Sequence, residues 1–320
     1  MKSIVVLSIS LLLLAGCGSP VEKAGSNHLT LWYNQPAKDW NEALPVGNGR
    51  LGAMVFGDAT HEKIQINEES IWAGCPVNNN NPRSLQHLPE IQKALFESRF
   101  REAWQLANDN MLGTPPRIRS YQPLGDLLID YGWKSEPTDY RRSLDLKTGI
   151  AATEFTVDGK KYRQEVYASV PDIILIINIK ALDGGKIDAT ISMTREKDAM
   201  ITTDSDGTIH LNGQIIDGED AGSGPAGEHM KFAGEARITH NGQSTSPPAP
   251  LPRSQAPGRG ESAPAGFTVN MASSISLRLS AATDYSVNQL NFDRSIDPAA
   301  VCAKTLDQAK NQTDKSLMKR

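Results

Sequence analysis

Cysteine is scarce, neither sign of charge is in large excess, and no apolar run is long enough to cross a bilayer as a helix. Three cysteines in 320 residues exclude a disulfide-built scaffold, because such scaffolds are short and cysteine-dense. Lysine and arginine number 33 against 37 acidic residues, a net charge of −4. No basic excess is available to neutralise phosphates, so no nucleic-acid partner is expected. The most apolar stretch, Ile4 to Leu14, is interrupted by Ser8 and Ser10 and falls short of the ~20 residues a spanning helix needs. Signatures of self-sufficient chemistry are also missing. There is no CxxC, HExxH or His/Cys cluster, so a dedicated zinc site is not expected. Walker and GxSxG sequences are absent. Gly222 to Gly227 fits GxGxxG in letters only, since it neither follows a strand nor opens an amphipathic helix. Asp204-Ser205-Asp206-Gly207 lacks the third acid and the final glutamate of a calcium loop and reads as a hairpin turn. None of the six histidines has an arguable Ser or Cys partner, and choosing two carboxylates among 37 acids as a glycosidase pair would be arbitrary.

What is present begins with an address. Lys2 and the apolar stretch precede Leu14-Ala15-Gly16-Cys17, which resembles the lipobox of bacterial lipoproteins. Residues 1–17 are expected to be the signal, Cys17 the lipid attachment site and residues 18–28 a polar tether. The implied location is the bacterial cell envelope, periplasmic or on the outer-membrane surface, with the membrane as a partner through the lipid. Cys75 and Cys302 then remain and are expected to be free, partly buried thiols.

From Leu29 onward the pattern is mainly β. Leu29–Tyr33, Leu51–Phe56, Lys63–Asn67, Leu127–Tyr131, Tyr140–Lys147, Ala152–Val157 and Lys161–Ala168 alternate or form short apolar runs, the signature of strands. Asp158-Gly159 marks a two-residue hairpin. Ile173 to Ile177 is continuously apolar, as for a strand covered on both faces. Lys186–Met193, Thr208–Leu211, Lys231–Thr239, Phe267–Met271 and Ser274–Ser280 complete a series whose spacing suggests a β-sandwich. One helix is expected from Pro89 to Asn108, with Pro89 in its first turn and Phe96, Phe100 and Trp104 packed in the core. Trp32 and Trp40 also read as core residues when taken singly. Ser244 to Gly266 carries six prolines and few large apolar residues, a composition for a disordered or extended insertion. Asp297-Pro298 starts a last helix, with Asp as N-cap and Pro at N1. No stop signal follows it, so residues 291–320 read as the start of a linker.

Three blocks carry more than folding information. They are Trp40-Asn41-Glu42-Ala43-Leu44-Pro45-Val46-Gly47-Asn48-Gly49-Arg50-Leu51-Gly52, Asn67-Glu68-Glu69-Ser70-Ile71-Trp72-Ala73-Gly74, and Tyr121-Gln122-Pro123-Leu124-Gly125-Asp126. In this order and spacing they resemble the N-terminal domain of family 95 glycoside hydrolases, the α-L-fucosidases. The resemblance runs from Leu29 to Arg320 and weakens at the proline-rich insertion. Cys75 stands where many relatives have glycine.

The resemblance implies a large antiparallel β-super-sandwich with one inserted helix and a C-terminal linker helix, spanning residues 29–290 before the linker. It further implies an (α/α)6 barrel that carries the catalytic groups and packs on the sandwich. The implied reaction is inverting hydrolysis of terminal, often α-1,2-linked, L-fucose from oligosaccharides, without a cofactor. Some relatives prefer α-L-galactosides. No catalytic residue is expected within this chain. Asn67, Glu68, Trp72, Tyr121 and Gln122 are the candidates for lending contacts to a substrate cleft. Each has a structural use beside that role: Asn67 and Gln122 in backbone hydrogen bonds, Trp72 in packing. A non-catalytic carbohydrate-binding or scaffold lipoprotein is the alternative.

Overall fold

The computed structural model describes residues 29–220, 222–245, 266–313 and 316. Cys17, the tether and residues 246–265 of the insertion lie outside the described residues. The chain builds two antiparallel sheets by crossing repeatedly between them. Strand β1 (Thr30–Tyr33) belongs to the first sheet, and β2 (Leu44–Gly47), β3 (Leu51–Val55), β4 (His61–Glu68) and β5 (Gly125–Tyr131) to the second. The first sheet then receives β6 (Thr138–Asp145), β7 (Ile150–Val157), β8 (Lys160–Ser169) and β9 (Ile174–Ala181). After β10 (Ile187–Thr194) in the second sheet come β11 (Ala199–Thr203), β12 (Thr208–Asp217) and β13 (Gly227–His240) in the first. β14 (Gln243–Thr245) and β15 (Phe267–Ala272) close the second sheet, and β16 (Ser274–Thr283) returns to the first. The orders are β1-β6-β7-β8-β9-β16-β13-β12-β11 and β14-β15-β10-β5-β4-β3-β2. A small ribbon of β17 (Tyr285–Ser286) and β18 (Asn291–Phe292) follows.

Period-two alternation explains the packing. Along β4, Ile64 and Ile66 point inward with no exposed surface, and Leu127 and Ile129 of β5 do the same. They meet Val166, Ile177 and Leu277 from the opposite sheet in one continuous core, the arrangement of a sandwich. Asp158 and Gly159 both take positive φ (49° and 71°), as a type I′ hairpin turn requires. The Asp204–Gly207 segment is the β11–β12 turn, with Asp204 N–H donating to Thr208 O at 2.8 Å.

The continuous apolar run at β9 is covered on both faces. Its outer residues Ile174 and Ile176 pack with Tyr167 against Leu306 and Ala309 of helix α3 (Pro298–Ala309), which Asp297 caps as expected. The helix therefore lies on the sandwich. Its stop comes from β16: the Arg278 guanidinium donates to the carbonyls of Ala309, Lys310 (3.2 Å) and Gln312 (2.6 Å). A cap borrowed from a distant strand leaves no mark in the helix's own sequence.

Two expectations are corrected. The single helix from Pro89 to Asn108 is two, α1 (Ser84–Phe96) and α2 (Phe100–Asn110). Ser98 takes a left-handed φ of 60°, and the N–H groups of Glu97, Ser98 and Arg99 fold back onto Lys93, Leu95 and Ala94. That is a helix stop made without glycine, the usual residue for it. Pro89 consequently sits inside α1. The second correction concerns aromatics: Phe96, Phe100, Trp104, Trp32 and Trp40 are all exposed. The helices bury only small and aliphatic residues between themselves, β1 is an edge strand, and Trp40 sits on a short 3-10 turn (Trp40–Glu42).

Candidate functional site

Strand β4 places a carboxylate at each end of its inward face, Glu62 and Glu68. Glu68 ends the strand with no exposed surface. Its Oε2 accepts from the N–H (2.8 Å) and hydroxyl (2.7 Å) of Ser70. Arg50 Nη2 stands 3.0 Å from Oε1. Burial raises the Glu68 pKa above the ordinary carboxylate value, against the opposing pull of the Ser70 hydrogen bond and the Arg50 charge. The Ser70 hydroxyl also meets Thr283 Oγ1 at 2.6 Å, tying the loop after β4 to the end of β16 across the sandwich.

That loop leads to Trp72, which forms an antiparallel bridge with Tyr121. The rings pack edge to face, centroids 5.4 Å apart, a favoured aromatic geometry. Tyr121 donates its hydroxyl to the Glu68 carbonyl at 3.0 Å. Backbone bonds from Ala73 to Ser120 and from Gln122 to Ile71, both 3.0 Å, flank the bridge. The three sequence blocks thus converge, with Arg50 from the first, Glu68 and Trp72 from the second, and Tyr121 from the third.

A cleft of about 520 Å³ opens beside this cluster. One side is Ser70, Trp72 and the Gly74–Pro76 segment, including Cys75. The other is Met230 with Tyr285, Leu290 and Phe292 of the β17–β18 ribbon. Both walls are anchored from behind. Gly74 N–H donates to Asp217 Oδ2 at 2.6 Å, and His229 Nε2 lies 3.5 Å from the same oxygen. Buried Asp284 accepts from Lys231 N–H (2.9 Å) and pairs with Arg294, holding the ribbon at its root. Among the cleft's lining residues one carboxylate appears, Glu69, whereas glycoside hydrolysis ordinarily uses a pair. The arrangement offers a flat aromatic face, apolar side chains and a few polar groups, which suits binding.

The five sequence candidates divide three ways. Glu68, Trp72 and Tyr121 come together, with Trp72 lining the cleft and the other two bracing it. Gln122 lies in an adjacent crevice of about 320 Å³, where its Oε1 accepts from Arg195 Nη2 at 2.6 Å. Arg195 also binds the Pro123 and Leu124 carbonyls and stacks on Phe232. Asn67 pairs with Gly52 in the ladder and, one residue from Glu68, faces the other side of the sheet. Sequence reasoning missed Thr283, Tyr285, Leu290 and Phe292. Tyr285, Leu290 and Phe292 line the cleft and Thr283 braces Ser70 because β16 ends beside Ser70, and nothing local in their sequence signals it.

A family model described as "Glycosyl hydrolase family 65, N-terminal domain" matches residues 31–288. "Alpha-L-fucosidase 2" of Arabidopsis thaliana is 33% identical over 174 residues, 53% of this chain and 20% of that protein. "Probable alpha-fucosidase A" of Aspergillus oryzae is 28% identical over 341 aligned residues, 99% of this chain and 41% of that protein. The chain therefore spans between a fifth and about two-fifths of the length of these relatives. A solved structure titled "Putative kojibiose phosphorylase from human microbiome" superposes with a TM-score of 0.44 and 9% identity, over 91% of this chain and 36% of that one.

Proposed function

Because the chain belongs to the glycosyl hydrolase family 65 N-terminal-domain family, we propose that it is the β-sandwich module of an α-L-fucosidase-like glycoside hydrolase. The finer reading, α-L-fucosides as substrates and kinship with family 95, is supported by the two α-fucosidase relatives. The observation that carries the reading is the convergence of the three sequence blocks on one cluster at Glu68 and Trp72, beside a cleft with an aromatic wall. In this reading the cleft lends Trp72 to a fucosylated oligosaccharide. The acid and base that cleave the glycosidic bond belong to an (α/α)6 barrel packed against the sandwich. The single carboxylate of the cleft also favours the alternative of a non-catalytic carbohydrate-binding lipoprotein. In both readings the chain sits in the cell envelope, held by lipid at Cys17.

Titration of the full chain with 2′-fucosyllactose, followed by calorimetry, tests the cleft. Saturable binding is expected, weakened about tenfold (~1.4 kcal/mol) in Trp72→Ala. Binding indifferent to Trp72 refutes the cleft assignment. Release of free fucose by this chain alone would show that it holds catalytic groups of its own.

A further inference from the structure

The α1–α2 hairpin forms no wall of the cleft, yet it carries the most exposed aromatic side chains among the described residues. Phe96 is 89% exposed, and Phe100 and Trp104 are each 64% exposed. With exposed Leu95 they surround the turn at Glu97–Arg99, the tip of the hairpin. The root is at the other end. There Asn81 Nδ2 donates to the carbonyls of Asn110 (2.9 Å) and Leu112 (2.8 Å), and Ser84 Oγ donates to Asn110 O (3.1 Å). At 1.5 Å per residue, α1 sets the tip ~20 Å beyond that root. The helices pack on each other through Ile91, Ala94 and Ala103. Among the described residues no strand covers the apolar tip. Exposed apolar clusters of this kind mark contact sites.

We propose that this tip inserts into the surface of the lipid bilayer, as an interfacial anchor beside the lipid at Cys17. The inference rests on the lipid-anchor reading given above. Composition is its first support. Exposed Phe and Trp side chains beside Lys93, Arg99 and Arg101, with the acids Glu97 and Glu102 also at the tip, combine aromatic and charged groups as segments at the headgroup level do. Arg99 pairs with Glu97 and Glu102. Lys93 and Arg101 are exposed and have no ion-pair partner among the described residues, so both can reach lipid phosphates.

Topology is the second support. Thr30, where the tether enters, lies opposite Asp145, which lies opposite Ile150. Following the ladder, that edge of the first sheet passes through Ser169 opposite Ile174 and on to Thr283 opposite Phe232. Thr283 touches Ser70, on the loop that leads into the hairpin. Tether entry and the loop that leads into the hairpin therefore share one end of the sandwich, with Thr30 and Thr283 five strand spacings or ~24 Å apart in the sheet. Residues 18–28 cannot reach beyond ~40 Å even fully extended. A lipid at Cys17 thus keeps this end of the sandwich near the bilayer, where the proposal places the hairpin tip.

The test uses the full lipidated chain in vesicles of phosphatidylethanolamine and phosphatidylglycerol whose acyl chains carry bromine. Bromine is expected to quench part of the tryptophan emission, and Trp104→Phe to remove most of that quenching. Phe96→Ser with Phe100→Ser should reduce it too, at an unchanged urea midpoint, since both side chains are exposed. An anchored chain that is not quenched, or is quenched equally in Trp104→Phe, overturns the proposal. A Trp104 signal that responds to 2′-fucosyllactose or to protein concentration without lipid also overturns it, in favour of a glycan or a second copy. The mass of the N-terminal peptide reads the anchor separately. Lipid on Cys17 without Trp104 quenching refutes the hairpin alone. Trp104 quenching with unmodified Cys17 upholds the hairpin and refutes the lipid anchor.

Discussion

Glu62 should make the fold lose stability as pH rises from about 5 to 8, and Glu62→Gln should abolish that loss. The carboxylate is buried at the inward start of β4. Gly57 N–H donates to Oε1 at 2.9 Å, and Gln164 Nε2 to Oε2 at 2.6 Å. Gln164 in turn accepts from the Tyr131 hydroxyl at 2.8 Å. Burial dominates these bonds and raises the pKa from 4.5 to about 8. Below 4.5 the folded and unfolded chains are both protonated at this site, and the group is neutral with respect to pH. Between 4.5 and about 8 the unfolded chain releases the proton while the folded chain keeps it. Stability then falls by ~1.4 kcal/mol per pH unit, to a total on the order of 5 kcal/mol. Above about 8 both states are ionised and the slope vanishes.

The amide introduced by Glu62→Gln is the uncharged isostere of the protonated carboxyl. With the Gln164 amide reversed, the new amide donates to its oxygen while still accepting from Gly57. Urea midpoints measured by fluorescence from pH 4 to 9 should therefore coincide for wild type and Glu62→Gln at the acid end. They should diverge toward pH 8, with the variant the more stable. The difference between the two curves isolates this site from every other titrating group. Parallel curves between pH 5 and 8 would show that Glu62 ionises in the folded state like an exposed carboxylate. A variant less stable than wild type at every pH would show that the site requires the charge.

Three further outcomes are expected. Gly125→Ala should cost ~2 kcal/mol or more: φ is 155° there, and an added Cβ would collide with the Thr194 carbonyl. A thermal shift under a degree would contradict this. Leu306→Ala should cost ~2–4 kcal/mol by emptying the contact between α3 and the outer face of β9, and no change in urea midpoint would mean that α3 is not docked in solution. Asp297→Ala removes the N-cap bonds to Ala299 and Ala300 and should cost ~1 kcal/mol, read as faster amide exchange in α3 with β9 unaffected.

The sheets were legible because burial follows period two, and the strands of Lys63–Asn67 and Ile173–Ile177 could be read from side-chain alternation or its absence. Strand β2 was not, since Leu44-Pro45-Val46-Gly47 is short and carries a proline that only an edge strand tolerates. The helical hairpin misled for a related reason. Phe96, Phe100 and Trp104 fall at a spacing that suits a buried face, and periodicity cannot distinguish a face that packs from one that is presented. In the candidate site, the residues near Trp72 in sequence were found and those from β16 and the β17–β18 ribbon were not. A hydroxyl such as Thr283 acquires a role only when another strand delivers Ser70 to it.

The Trp72–Tyr121 bridge joins the cleft wall to the stem of the segment that carries the hairpin. Residues 73–120 form a single excursion between β4 and β5, and the bridge closes its stem. The stem is clamped from the far side as well. Arg119 Nη2 donates to the carbonyls of Gly218 (2.8 Å) and Gly224 (3.0 Å), and Asp217 holds Gly74. Between this stem and the helices run residues 75–83 and 111–120, largely irregular and joined by Thr114 N–H donating to Asn79 O at 2.9 Å. Arg119→Ala separates the two proposals. It leaves the aromatic tip untouched but frees one side of the stem, so bilayer quenching of Trp104 should persist while 2′-fucosyllactose binding weakens. If glycan binding is unchanged in that variant, the ordering of Trp72 comes from the Tyr121 contact alone and the clamp has no part in it.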